Sequence, residues 1–245
     1  MKSVKGVDKV GQFFIDLLYP KFCLGCKKEG AYLCADCKAT LDISEHRYCL
    51  CSNGPLRLPP ESSGKCPRCQ DKKLSGLLFA LPYKERFLTK KLIHQFKYKP
   101  YVKDLSGTLA KIIQEHIFLA DLPNDFWQNG VLVPVPMELS KQKDRGYNQS
   151  EELAKELSKI FGIPMLSSVL VKIKKTEQQM KLSAKERQEN LVGAFAIKNP
   201  AEIAGKKIFL ADDVYTTGVT MAECAKILKA AGAKKVWGIA IAREG

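Results

Sequence analysis

This chain is short of negative charge relative to positive. Against 40 lysines and arginines stand 26 aspartates and glutamates, a formal net charge of +14. Such an excess favours anionic partners, whether nucleic acid, phosphorylated metabolites or an acidic membrane surface. No secretory leader is expected either. Phe13, Phe14, Ile15, Leu17 and Leu18 are apolar, but Asp16 interrupts them and the run is too short to cross a bilayer. They are expected to form an amphipathic helix, and no membrane span is expected. Without a leader the expected compartment is cytoplasmic and reducing, which turns the cysteines towards metal rather than disulfides. There is no low-complexity tract and no internal repeat beyond the cysteine pairs. The 245 residues, 45% of them hydrophobic, allow a sizeable core in one or two domains.

Eight of the nine cysteines lie between residues 23 and 69, as Cys23/Cys26, Cys34/Cys37, Cys49/Cys51 and Cys66/Cys69. Three pairs are C-x-x-C knuckles and one is C-x-C. A knuckle directs two thiolates at one tetrahedral ion, and two knuckles complete a Cys₄ zinc site. Pairing by sequence gives one zinc to Cys23, Cys26, Cys34 and Cys37, and a second to Cys49, Cys51, Cys66 and Cys69; a crossed pairing remains open. Turn residues abound here and large apolar side chains are few, so the segment needs metal for order. Neither His nor carboxylate stands near enough to suggest an open catalytic position. Cys224, alone on a later helix, is expected in the core.

From residue 76 onward apolar strands alternate with helices. Leu77–Tyr83, Val131–Pro136, Ser168–Ile173, Ala194–Ile197, Lys207–Ala211 and Lys235–Ala242 are expected strands. Helices are expected over Glu85–Tyr98, residues 102–119, the stretch around Leu153–Phe161 and the stretch from Met221 on. Lys174–Asn190 is polar and is expected to be mobile. This alternation implies a largely parallel α/β sheet, whose ligands bind beyond the carboxyl ends of the strands. The richest stretch is FLADDVYTTGVT, residues 209–220. A buried strand delivers Asp212 and Asp213, and a turn of Thr216, Thr217, Gly218 and Thr220 opens a helix. Helix-terminal N–H groups and Thr hydroxyls can hold a phosphate, while the two carboxylates can take ribose hydroxyls or a hydrated Mg²⁺. An ordinary strand–turn–helix with an acidic cap is the plainer alternative. Arg86, Lys90, Lys91, Lys97, Lys99 and Lys103, interleaved with Phe96, Tyr98 and Tyr101, could grip and stack single-stranded nucleic acid, or simply form the wet face of a helix over a packed core.

The segment 209–220 resembles the loop that binds 5-phosphoribosyl 1-pyrophosphate (PRPP) in type I phosphoribosyltransferases. With CLGC, CADC, VPVPMELSKQKDRGYNQSEELA and KKTEQQMKLSAKERQENLVGAF, nearly the whole chain is similar to the ComF family. The resemblance implies a small double zinc-ribbon module (residues 1–75, with the N-terminal helix) before a type I phosphoribosyltransferase-like α/β domain (residues 76–245). It also implies Mg²⁺-dependent PRPP binding and a part in DNA uptake, with structural zinc and with PRPP, single-stranded DNA or competence proteins as partners. In that reading Thr216, Thr217, Gly218 and Thr220 take the 5′-phosphate. Asp212 and Asp213 hold the ribose and stabilise positive charge developing at C1. Lys141, Lys143 and Arg145 form a pyrophosphate loop, and Lys174, Lys175, Thr176 and Gln179 a flexible loop that closes over the site. Two departures from the family pattern are the tight C-x-C pair and the lysines 141 and 143, where arginine is frequent. No acceptor base is visible, so two functions stand: pentosyl transfer to an unidentified acceptor, or a non-catalytic adaptor for single-stranded DNA or protein that keeps a vestigial or regulatory PRPP site.

Overall fold

A computed structural model describes residues 19–84, 86–99, 101–123, 125–176 and 184–244. The expected helix around residues 13–18 and Gln179 lie outside the described residues. The chain divides into two compact units, Met1–Leu41 and Asp42–Gly245. The first cysteine quartet belongs to the former. The second quartet belongs to the latter, together with the α/β sheet.

In the first unit the Cys23–Cys26 knuckle is closed by Cys23 N–H to Lys28 O and Lys27 N–H to Cys23 O, with Lys27 at φ 68°. The short helix α1 (Ala35–Ala39) starts at Cys34, whose sulfur accepts from Cys37 N–H.

The larger unit is built on four parallel strands in the order β3-β8-β7-β4. They are β3 (Gly76–Pro82), β4 (Gly130–Pro134), β7 (Lys207–Tyr215) and β8 (Lys235–Arg243). Both faces of the sheet are covered, so these strands are almost continuously apolar instead of alternating. On one face α2 (Phe87–Lys97), α3 (Leu105–Leu119) and α5 (Gln149–Phe161) supply Leu92, Ile93, Phe96, Leu109, Ile113, Leu153 and Leu157 to the interior. On the other, α7 (Val219–Ala230) buries Met221, Cys224, Ala225 and Leu228 against Val133, Ile208, Leu210 and Val236. Cys224 is therefore a core residue, fully buried.

The second cysteine quartet packs into that same apolar cluster through Cys49, Leu50, Leu58, Cys66, Cys69 and Leu74. Its ribbon is β1 (Arg47–Tyr48) with β2 (Arg57–Leu58), paired antiparallel. Within the sheet, Gly76 on β3 leaves room for the side chain of its β8 partner: a Cβ there would stand 2.3 Å from the Trp237 ring.

Four elements differ from the sequence expectation. The strands expected at 168–173 and 194–197 form β5 (Leu170–Lys172) and β6 (Phe195–Ile197), an antiparallel pair outside the parallel sheet. Residues 184–191 of the polar stretch are helical, as α6 (Ala184–Leu191). The segment with Lys141, Lys143 and Arg145 is a short helix, α4 (Leu139–Arg145), not a loop.

Candidate active site and metal centres

Strand β7 does not stop at Ala211. It pairs with β8 as far as Tyr215↔Arg243, carrying both aspartates within the sheet. Asp213 is 9% exposed and Asp212 is half-buried. The chain then turns through half-buried Thr216 and Thr217 to Gly218, at φ 75°, and α7 begins at Val219 with Thr220 in its first turn. Gly218 is required on two counts. Its backbone is left-handed, and a Cβ would lie 2.2 Å from the Tyr215 hydroxyl oxygen. It also caps α7 without a side chain, so the first-turn N–H groups are presented to whatever enters from the acidic pair's side.

The two carboxylates are held differently. Asp212 Oδ1 accepts from Ser150 Oγ at 2.9 Å and from the Asp213 N–H at 2.9 Å. Burial and the adjacent Asp213 charge push Asp212 up to about 7, against Lys97 and those hydrogen bonds. Asp213 Oδ1 meets the ammonium of Lys97 at 2.7 Å. Burial works against the Lys97 charge, yet Asp213 and Asp212 together hold its pKa above the ordinary lysine value.

Sequence reasoning placed Lys97 on a basic outer stripe; the structure places it in the site. A signal was present: Lys97 stands four residues after Ile93 and directly after Phe96, both buried, so it continues the core-facing edge of α2. Phe96 also turns inward, fully buried, and offers no stacking surface. Much of the remaining stripe is paired. Arg86 meets Asp42 at 2.8 Å, Lys103 meets Glu152 at 3.4 Å, and Lys99 stands 4.0 Å from Asp144.

The motif Arg145-Gly146-Tyr147-Asn148-Gln149-Ser150 is the framework of this corner. Tyr147 Oη and Gln149 Nε2 both donate to the Phe96 carbonyl, at 2.8 and 3.1 Å. Asn148 caps α5 by accepting from Ser150 N–H, and its Nδ2 donates to Val135 O, just past β4. One tetrapeptide thus ties α2, β4, α5 and β7 together. Arg145, ahead of it in the motif, reaches outward, its guanidinium 5.9 Å from the Tyr98 ring centroid and 6.0 Å from that of Tyr101.

Lys141 is half-buried, 4.0 Å from Glu138, and Lys143 is exposed. Lys174 and Lys175 are exposed too, but Thr176 is buried and accepts from Lys172 Nζ at 2.6 Å. None of these groups hydrogen-bonds to the acidic pair.

Each cysteine quartet keeps its four sulfurs within 4.8 Å of one another. The pairs Cys26–Cys34, Cys51–Cys66 and Cys66–Cys69 stand 3.6, 3.6 and 3.7 Å apart. A tetrahedral zinc with Zn–S near 2.3 Å requires S–S of about 3.8 Å, so both donor sets fit. The grouping is the sequence-adjacent one, and the C-x-C pair closes its site as well as a knuckle does. Burial opposes the Cys66 thiolate, but hydrogen bonds from Cys49, Cys51 and Cys69 outweigh it and bring Cys66 down to about 6. Burial and the same sharing push Cys51 up to about 12. Sequence offered no hint of the group beside this quartet: Arg243, 2% exposed, donates from Nη1 to Cys49 O at 2.7 Å and from Nη2 to Cys51 O.

Residues 147–244 match the family model of a phosphoribosyl transferase domain, and residues 14–70 that of a double zinc ribbon domain. The chain is 30% identical over 211 residues to Competence protein F of Haemophilus influenzae, an alignment covering 85% of this chain and 90% of that relative. It is 28% identical over 219 residues to Competence protein ComFC of Streptococcus pneumoniae, covering 89% and 90%. The DNA utilization protein YhgH of Salmonella typhimurium is 31% identical over 145 residues, which cover 59% of this chain and 63% of that relative.

Proposed function

The chain belongs to the competence protein F family, and on that premise we propose that it binds PRPP with Mg²⁺ and serves the handling of incoming DNA. The observation that carries the reading is the run of Asp212 and Asp213 on β7 directly into the Gly218 turn and the uncapped start of α7. The turn with Thr216, Thr217 and Thr220 takes the 5′-phosphate, and the aspartates take the ribose hydroxyls. Carboxylate oxygens suit Mg²⁺, a hard cation, and the Asp213 carboxylate already has a cation as its partner. When bound, Mg²⁺ would neutralise charge on the pyrophosphate. Lys141, Lys143 and Arg145 supply positive charge from α4, and Lys174, Lys175 and Thr176 belong to the segment that closes and excludes water. Displacement at C1 develops positive charge on the sugar, which nearby carboxylates stabilise.

The test is titration calorimetry of Mg²⁺–PRPP into wild type and the variant Asp212→Asn/Asp213→Asn. Each charged hydrogen bond is worth roughly 1.5–3 kcal/mol, so affinity should fall at least about tenfold while the protein stays folded. Equal affinity would reduce the carboxylates to a structural cap and remove the reading. Release of pyrophosphate that depends on an added acceptor distinguishes the transferase from the adaptor.

A further inference from the structure

Lys97 sits where an incoming cation would have to sit. Its ammonium is 2.7 Å from Asp213 Oδ1, in a corner where the two side chains are 24% and 12% exposed. The lysine is not there by chance of rotamer. It is the last residue of α2, where the helix dipole favours a cation. The carbonyl just before it is clamped by Tyr147 and Gln149, and the Tyr98 N–H closes the final turn onto His94 O at 2.8 Å. The tetrapeptide that fixes the root of Lys97 also fixes Asp212 through Ser150. Asp212 Oδ1 already accepts twice, so this oxygen is committed within the framework while Lys97 meets the neighbouring Asp213.

Resting on the PRPP reading, we infer that Lys97 is the resident counter-ion of Asp213 and bars a free divalent cation from the unliganded site, yielding the carboxylate only to a cation that arrives with the sugar phosphate. The electrostatics follow directly. A divalent ion approaching alone meets a neutralised carboxylate and a positive ammonium a few ångströms away, in a half-desolvated corner where charges interact strongly. A ribose phosphate brings its own negative charge, offsets that repulsion, and offers the ammonium a new acceptor. The flexible four-carbon stem of lysine lets the ammonium follow it. Lys97 is thus a positioning and selectivity residue, not a catalytic one.

The experiment measures Mn²⁺ binding to the zinc-loaded full chain by electron paramagnetic resonance, with and without PRPP, in wild type, Lys97→Gln and Lys97→Arg; Lys97→Met replaces the glutamine variant should that not fold. Without PRPP, Lys97→Gln should bind Mn²⁺ at least about tenfold more tightly than wild type, and Lys97→Arg should match wild type. PRPP should tighten Mn²⁺ binding strongly in wild type and much less in Lys97→Gln. If folded Lys97→Gln and wild type bind Mn²⁺ alone equally, the inference falls. If wild type ignores PRPP but Lys97→Gln still gains Mn²⁺ affinity, the PRPP reading fails while the counter-ion role of Lys97 stands.

Discussion

His116 shows how burial alone can write a pH dependence. It is 1% exposed on α3, stacked 6.1 Å from Phe79, with Nδ1 2.6 Å from Ser44 O. A carbonyl can only accept, so Nδ1 carries the proton; among the described residues Nε2 has no hydrogen-bond partner. Burial drags the pKa down to about 4, and the Ser44 hydrogen bond only partly opposes it. The unfolded chain takes up a proton near pH 6.5 and the folded one does not. Stability from this residue is therefore whole above about pH 6.5 and drains away as pH falls towards 4, roughly 3 kcal/mol in all. Urea unfolding of wild type and His116→Phe at pH 4.5 and 7.5 should show the variant losing far less stability on acidification; parallel losses would place the acid sensitivity elsewhere. Sequence could not announce the surroundings of this residue, which come from other elements; for Lys97 the spacing after Ile93 and Phe96 marked the inward edge of α2 but not the carboxylate it meets. Asp212 and Asp213 were legible because an apolar strand and a Thr/Gly turn bracket them in the chain itself.

Elements with a one-sided apolar pattern were legible for the same reason. Helices α3, α5 and α7 and strands β3, β4, β7 and β8 each carry their burial in sequence. Helix α4 buries nothing, so LSKQKDR has no periodicity to find, and its tie to α2 runs through neighbouring aromatics. β5 and β6 read correctly as strands, but their antiparallel pairing with each other is a long-range fact. The element that matters most is the β7–turn–α7 junction, which rests on one left-handed glycine. Gly218→Ala should cost about 1–3 kcal/mol from the positive φ alone, and the Tyr215 ring must also move to admit the methyl. Chemical denaturation should show the lost stability, and NMR titration with inorganic phosphate should show lost binding at Thr216–Thr220. A variant unchanged in both would mean that the turn tolerates other geometries and that phosphate binds elsewhere.

At the scale of the whole molecule the two metal centres are unequal partners of the fold. The first quartet lies in the unit Met1–Leu41. The second is part of the sheet's own apolar cluster, and it answers a problem in that cluster. Arg243 ends β8 as a buried cation, and among the described residues it pairs with no carboxylate. Burial pulls its pKa below the ordinary arginine value, opposed by Tyr215 and the thiols of Cys49, Cys51 and Cys69. A zinc held by four thiolates carries two net negative charges, which suits a guanidinium bonded to the carbonyls of Cys49 and Cys51. The same guanidinium lies 5.6 Å from the Tyr215 ring centroid, and Tyr215 packs against Gly218. A path of direct contacts therefore runs from the second quartet to the Gly218 turn. Chromatographically pure wild type should contain two zinc ions per chain. Cys23→Ser/Cys26→Ser should lose one of them and leave the unfolding of the α/β unit nearly unchanged. Cys49→Ser/Cys51→Ser should also lose one, but should destabilise the α/β unit by at least about 3 kcal/mol, because a buried arginine loses its counter-charge and its acceptors drift. Elemental analysis reads the first outcome and calorimetric melting the second. Equal melting curves for the two double variants would show that the sheet does not depend on the second metal, and Arg243 would then need another source of compensation.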